Sequence, residues 1–440
     1  MLDGMSESAS GTVDGEVVDL CRELVRMDTS NYGDDSGPGE RKAAEYVATL
    51  LDEVGIESRL YESAPGRTSL VAHWGGSDGD PLLLHGHLDV VPAAAEDWQV
   101  DPFAGEIKDG YLWGRGTVDM KDFDAMLLAV VRHRQRTGRV PDRPIRLCFT
   151  ADEEAGGHSG AQFLVEQHRE ELEGCTEAVG EVGGFSATVR GRRVYLVEAA
   201  EKGMAWLKLT ARGTAGHGSM INPDNAVARL TAAVARIGAH EWPIRLTPTM
   251  EILLATVGDL AGTEVTPDNA PDLVQEFGGA ARMLGAVISN TLQPTMLQAG
   301  YKVNVVPTEA SAYVDGRFLP GHEDEFRATL EELVGEGITI DELSWQQPWE
   351  TPYDGALVAS MERSILAEDP DGIVAPYLMS GGTDAKHFRQ LPGLRSYGFA
   401  PLRLPDDLDF TALFHGVDER VPTDALEFGA RVLDRFLDEV

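Results

Sequence analysis

Cysteine is scarce in this chain. Its 440 residues hold three cysteines, Cys21, Cys148 and Cys175, an odd number at unrelated spacings. They make neither a zinc word nor a disulfide framework. They read as buried thiols in a reducing cytoplasm, and the apolar run Ile145 to Thr150 around Cys148 favours that reading. Lysine is scarce too, and 37 basic residues face 73 acidic ones, for a net charge of −36. That balance disfavours nucleic acid and anionic membrane as partners, because phosphate recognition needs a basic surface. No apolar run approaches the roughly 20 residues of a membrane helix. The start, Met1 to Gly15, has no basic opening and no apolar stretch. It reads as a short disordered lead and not as a secretory signal.

What is present is a globular composition, 42% apolar and 25% charged. A chain of this length is expected to form two domains. The acidic excess reads as a solvated surface whose self-repulsion a salty cytoplasm would screen.

Periodicity orders the first stretch as alternating helix and strand. Glu16–Arg26, Arg41–Val54, Asp122–Arg136 and Ser159–His168 read as helices. Ser58–Tyr61, Ser69–Trp74, Pro81–His85, Pro144–Thr150 and Glu177–Glu181 read as strands. Leu82-Leu83-Leu84 is continuously apolar, as in a strand covered on both faces. This predicts an α/β catalytic domain with a central mixed, largely parallel sheet. Near Gly203 the character changes. Met204–Arg212, Pro223–Ile237, Thr295–Lys302, Ala310–Phe318, Glu323–Val334 and Ile338–Leu343 follow in the order β-α-β-β-α-β. That order predicts an inserted α+β ferredoxin-like unit, a lid and dimerisation domain over 201–346, with a helical insertion at about 242–290. Residues 1–200 and 347–440 would then form one discontinuous domain, with helices at Asp354–Ala367 and Thr423–Val440.

The chemistry sits in five short words. They are Gly86-His87-Leu88-Asp89, Gly116-Thr117-Val118-Asp119-Met120, Asp152-Glu153-Glu154, Glu181-Val182-Gly183-Gly184 and Phe414-His415-Gly416-Val417-Asp418-Glu419. Imidazole and carboxylate are donors that zinc accepts, and five of them serve two ions only if one carboxylate bridges. Glu153 is a spare carboxylate beside them, the group needed to move a proton when metal-activated water attacks a carbonyl. Asp89, two residues after His87, is suited to orient a metal-bound imidazole. His85 reads as a buried strand-end histidine.

These words, in this order, resemble the metallopeptidase family of aminoacylases, glutamate carboxypeptidases, carnosinase-type peptidases and succinyl-diaminopimelate desuccinylase. The resemblance runs from about Glu16 to the C-terminus. It implies two Zn2+, with Co2+ or Mn2+ as substitutes. Asp119 would bridge, with His87 and Glu181 on one ion and Glu154 and His415 on the other. Glu153 would be the general base. His217, in Gly216-His217-Gly218-Ser219, would stabilise the oxyanion, commonly in the partner subunit's site. Asn304 and Arg317 would contact the substrate carboxylate, and the loop Gly381-Gly382-Thr383-Asp384 would hold the substrate through backbone N–H groups. The chain departs from the pattern at two places. Asp122 and Phe123 follow Lys121 where many relatives have Gly, and the Glu181 word has one residue more than Glu-Gly-Gly.

The expected activity is hydrolysis of an amide next to a free carboxylate, in an N-acyl amino acid or small peptide. The insertion favours the aminoacylase and vacuolar carboxypeptidase branch over a succinyl-diaminopimelate desuccinylase or an acetylornithine deacetylase-type amidohydrolase. A non-catalytic binding protein on the same fold would have lost a ligand or the base, and all six positions are filled. A two-metal phosphoesterase would add Asn ligands and basic groups for phosphate, and no such grouping is present. The expected assembly is a cytoplasmic homodimer through the lid.

Overall fold

The computed structural model describes residues 12–34 and 36–440. The lead expected at 1–15 therefore lies, up to residue 11, outside the described residues. Thr12 to Gly15 form a turn in which Asp14 pairs with Arg431 at 2.6 Å.

Ten strands make one mixed sheet. Its centre runs Arg67–Gly75, Pro144–Thr150, Leu82–His87, Glu177–Gly180, Arg395–Gly398 and Arg192–Glu201. The pairs among Pro144–Thr150, Leu82–His87, Glu177–Gly180 and Arg395–Gly398 are parallel. Leu82 and Leu84 face one apolar core while Leu83 faces another. Both faces of this strand are covered, so all three residues are buried, as a continuous apolar run requires. Truncating such a leucine to Ala typically costs about 2–5 kcal/mol.

Helix Lys121–Thr137 packs behind this strand. Asp122 and Asp124 sit in its first turn, and Gly138 ends it at φ 72°, a left-handed conformation that glycine adopts without strain. Helices Val17–Val25 and Thr423–Phe436 pack against it and bury their apolar stripes. Among the described residues no helix is long and apolar enough to cross a membrane. All three cysteines are free and buried.

The expected elements recur with shifted ends, and hairpins at Glu106–Trp113 and Phe185–Glu201 join them. Phe185–Val189 pairs with Arg192–Glu201, whose long apolar stretch lies deep in the large sheet. The chain does change character at Gly203. Gly203–Arg212, Thr291–Ala299, Glu309–Phe318 and Ile338–Gln346 form a separate antiparallel sheet, with Glu309–Phe318 and Gly203–Arg212 in the middle. Helices Ala226–Ala239 and Glu323–Val334 cover one face and complete its own apolar core. Asn225 caps the first of these, its side chain accepting from the N–H groups of Val227 and Ala228.

The helical insertion packs elsewhere than expected. Met250, Leu253, Val257, Leu273, Leu284 and Ile288 join the core of the large sheet, and helix Pro248–Ala261 lies against strand Ile373–Met379.

Candidate active site

Three parallel strands end at one place and deliver four of the acidic and imidazole groups. Leu82–His87 ends in His87, Pro144–Thr150 leads to Asp152-Glu153-Glu154, and Glu177–Gly180 leads to Glu181. Crevices outside the carboxyl ends of strands are where open α/β sheets place their sites. Asp119 arrives from the loop before helix Lys121–Thr137, and His415 from the loop before strand Arg420–Pro422.

The six side chains converge. His87 Nε2 lies 3.1 Å from Asp119 Oδ1 and 3.4 Å from Glu181 Oε2. His415 Nε2 lies 3.2 Å from Asp119 Oδ2 and 3.0 Å from Glu154 Oε2. Asp119 thus turns one oxygen toward each imidazole, the geometry of a carboxylate shared by two ions. His87, Asp119 and Glu154 form one grouping compatible with a metal ion, and His87, Glu153 and Glu181 another. Two imidazoles and three carboxylates are the donor set that a pair of borderline cations accepts. The set is lopsided in access, since the His87 side chain is 1% exposed and that of His415 56%.

The charges strain against one another. Burial pushes the Glu154 carboxyl up to about 8, with the Asp119 charge adding to it. Burial lifts Glu153 and Glu181 as well. Burial opposes ionisation of Asp119, but hydrogen bonds from His415 and His87 hold its pKa low. Those to Asp119 and Glu154 raise His415 to about 10. Such a knot of buried carboxylates calls for cations, and a divalent ion binding there would displace protons from the imidazoles.

Local backbone explains how each word aims its side chain. Glu153 and Glu154 are not in extended chain. They open a short 3-10 turn, Glu153–Ala155, after Asp152 at φ 69°. Even so they diverge. Glu154 reaches His415 and accepts from Val91 N–H at 3.1 Å, while Glu153 Oε1 faces Lys386 Nζ at 3.4 Å. The extra residue after Glu181 is absorbed by Val182 at φ 52°, a conformation a β-branched residue rarely adopts. Glu181 still reaches His87. His415 itself sits at φ 58°. Strained backbone of this kind clusters where geometry is over-determined by function.

Asp89 orients His87 through its main chain, whose carbonyl lies 3.0 Å from Nδ1, with the carboxylate at 3.5 Å. The Asp89 carboxylate also holds the next word by accepting the N–H groups of Glu153 and Glu154, each at 3.1 Å. His85 is buried, as expected, and burial lowers its pKa to about 3.

Several supporting residues carried no sequence signal. Asn31 donates to Asp89 and Asp152, and Arg67 donates to Asn31 at 2.8 Å. Glu419 was legible as part of the His415 word, though without a role. Its oxygens accept from the N–H groups of Gly116, Val118 and Asp119 and from Arg115 Nη1 at 2.6 Å. Glu419 therefore fastens the Asp119 loop to the His415 loop. Lys386 directly follows the Gly381-Gly382-Thr383-Asp384-Ala385 stretch and was overlooked there.

A cavity of about 410 Å³ opens over this cluster, with Asp119, Glu153, Glu154, Glu181 and His415 at its floor. Gly381, Gly382 and Thr383 line it too. Thr383 is already engaged, because its N–H and hydroxyl both donate to Glu201. That leaves the two glycines as the open part of the loop. Arg317 does not line the cavity. Asp315 holds it in two hydrogen bonds of 2.7 and 3.1 Å, and it reaches Ser380 O only at 3.4 Å. His217 and Asn304 lie outside as well. Both are exposed: His217 is on a two-stranded ladder, Gly216–His217 with Val305–Val306, Asn304 directly precedes its second strand, and His217 Nδ1 bonds Ser219 Oγ at 2.8 Å. A larger cavity of about 740 Å³, lined by Arg59, His73 and Glu171 among others, contains none of these residues.

Known proteins resemble this chain over most of its length. A family model described as Peptidase family M20/M25/M40 matches residues 83–439. An N-fatty-acyl-amino acid synthase/hydrolase of Xenopus tropicalis is 28% identical over 435 residues, 94% of this chain and 83% of that one. Aminoacylase-1 of Homo sapiens is 28% identical over 434 residues, covering 96% and 94%. A probable carboxypeptidase S-like protein of Dictyostelium discoideum is 30% identical over 382 residues, covering 80% and 70%. The metallo-carboxypeptidase Sso-CP2 of Sulfolobus solfataricus has the same fold, with a TM-score of 0.73 at 17% identity over 96% of this chain and 99% of that one.

Proposed function

The chain belongs to peptidase family M20/M25/M40, and we propose that it hydrolyses the amide of an N-acyl amino acid or short peptide beside a free carboxylate. It is a metal-dependent amide hydrolase. The observation that carries the reading is the placement of Asp119 between two imidazoles with a spare carboxylate, Glu153, at the same cavity.

Two Zn2+ are the ions proposed. His87 and Glu181 would hold one, Glu154 and His415 the other, and Asp119 both. Bound there, the ions polarise the amide carbonyl and acidify water. The remaining work belongs to side chains. Glu153 takes the proton from the attacking water and returns it to the leaving nitrogen. Lys386, beside Glu153 and itself nearly buried, keeps that carboxylate in place. Asp89 and Asn31 fix the backbone that carries Glu153. Gly381 and Gly382 admit the substrate close to the main chain, since neither has a side chain to obstruct it.

His217 and Asn304 lie off the cavity of a single copy, which supports a homodimer in which the small sheet acts as lid and dimerisation unit and His217 serves the partner's site; a cytoplasmic location is proposed with it. The strand Thr291–Ala299 is an edge strand, exposed through most of its second half. Met220, Ile221, Tyr301 and Val303 are exposed around the His217–Asn304 ladder. An open edge and an apolar tip are surfaces that a symmetric partner would cover. Sedimentation showing a fully active monomer would exclude this arrangement.

The deciding assay is hydrolysis by zinc-loaded protein of N-acyl amino acids, dipeptides and succinyl-diaminopimelate, with Glu153→Ala as control. Turnover lost in the variant is expected. Preference for succinyl-diaminopimelate would move the chain to the desuccinylase branch, and no turnover by intact metal-loaded protein would overturn the reading.

A further inference from the structure

His387 stands on the short helix Ala385–Phe388, directly after the loop Gly381-Gly382-Thr383-Asp384. Its imidazole is buried, and Nε2 lies 2.7 Å from the carbonyl oxygen of Gly156. A carbonyl only accepts, so Nε2 carries the proton and donates. Burial lowers the His387 pKa to about 4, so the ring is neutral at neutral pH and this contact fixes its tautomer.

Gly156 closes the turn that aims the base. Its N–H donates to Glu153 O at 2.8 Å, and the N–H of Gly157 donates to Asp152 O at 2.7 Å. The fit against the helix is tight. A Cβ at Gly157 would stand 2.4 Å from Asp384 Oδ1 and 3.0 Å from His387 Nε2, so no larger residue has room there. Neighbours of His387 reach the same region. Lys386 Nζ faces Glu153 Oε1 at 3.4 Å, and Asp384 shares a 2.6 Å hydrogen bond with Thr150, the last residue of the strand that leads to Glu153. Phe388 is buried against His85, two residues before His87, with ring centroids 4.8 Å apart. The other end of this piece of chain is the glycine loop that opens on the cavity. One short segment therefore joins the loop beside the cavity to the turn that carries Glu153.

We propose that His387 is a positioning residue for the hydrolysis, which by donating to Gly156 O sets where the Glu153 turn sits relative to a substrate held on the Gly381-Gly382 loop. This rests on the amide-hydrolase reading above and deepens it. A base displaced by about 1 Å can lose on the order of a hundredfold in rate, so a staple one residue beyond the turn has leverage on the chemical step.

The test compares His387→Leu, which fills the space without a donor, with His387→Gln, whose amide N–H can take the place of Nε2–H. With N-acetylmethionine, His387→Leu should lower kcat about tenfold to hundredfold and leave KM within about threefold, with zinc content unchanged. His387→Gln should recover most of the loss. In a Lys386→Met background the effect of His387→Leu should shrink, because both residues act on one carboxylate. Hydrogen exchange read by mass spectrometry supplies a measure free of turnover: the peptide containing Gly156 and Gly157 should exchange faster in His387→Leu and at the wild-type rate in His387→Gln. Unchanged kcat in folded His387→Leu protein would overturn the proposal, as would a rise in KM alone or equal losses in the Leu and Gln variants. If the wild type turns over no amide while exchange quickens only in His387→Leu, the hydrolysis reading fails and the staple stands; unchanged exchange would sink the staple itself.

Discussion

His87 and His217 both sit beside glycine, yet the two sheets use them in opposite ways. His87 ends a strand buried on both faces, is 1% exposed and has Asp119, Glu181 and the Asp89 carbonyl as neighbours. His217 stands on an exposed ladder, and its imidazole bonds Ser219. The large sheet preorganises its polar groups through covered strands and second contacts such as Glu419 and Asn31. The small sheet presents its groups at a surface. The two sheets therefore differ in what holds their polar groups: distant contacts order those of the large sheet, and local ones those of the small sheet.

Removing the base tests the large-sheet side most severely. Glu153→Ala should lower kcat roughly 100- to 10,000-fold, with zinc still bound by inductively coupled plasma analysis. Loss of the metal together with the activity would make Glu153 a ligand instead. On the small-sheet side, His217→Ala should lower kcat on the order of a hundredfold, the worth of one oxyanion donor at about 3 kcal/mol. Mixing this variant with Glu153→Ala protein should restore part of the activity if His217 serves the partner's site; no restoration would break that half of the comparison.

Stability should divide the same way. Arg115→Ala leaves the buried Glu419 without its cationic partner, and denaturant unfolding should register about 3 kcal/mol. Arg212→Ala, from an exposed pair with Glu309 on the small sheet, should cost little. Equal losses would mean that exposure does not set the energetics.

Acidity sharpens the picture further. Burial pushes Asp384 up to about 8 and Glu201 to about 7. Both folded values lie above those of the unfolded chain, near 4. The folded state therefore holds these protons more tightly, and the associated stability is complete below about pH 4 and lost as pH rises through 7 to 8. The melting temperature of metal-free protein should fall between pH 5 and 8, and Asp384→Asn should flatten that fall; an unchanged slope would contradict the assignment. The smallest effect expected is a rise in melting temperature with KCl, as salt screens the net charge of −36. A flat response would rule out surface repulsion as a factor.

Much of the site was legible because its words are local. His87, Asp119, Glu153, Glu154, Glu181 and His415 each sit in a short motif, and the structure brings all six together. The β-α-β-β-α-β order was legible from periodicity, and the small sheet follows it. The hairpin Phe185–Val189 with Arg192–Glu201 was not, because a buried apolar run gives no alternation to read. Arg317 is expected as a substrate contact, and its pairing with Asp315 two residues away carries no sequence signal.

The sequence alone marked out the six acidic and imidazole side chains and predicted a second sheet after Gly203, since residue type and period suffice for these. Tertiary structure alone decided which charges are paired and which are left open. It placed Glu419 under the Asp119 loop across some 300 positions of chain. It turned the insertion onto the large sheet and set His387 against the turn that carries Glu153. Burial and pairing arise from contacts between distant segments, and no local pattern encodes them.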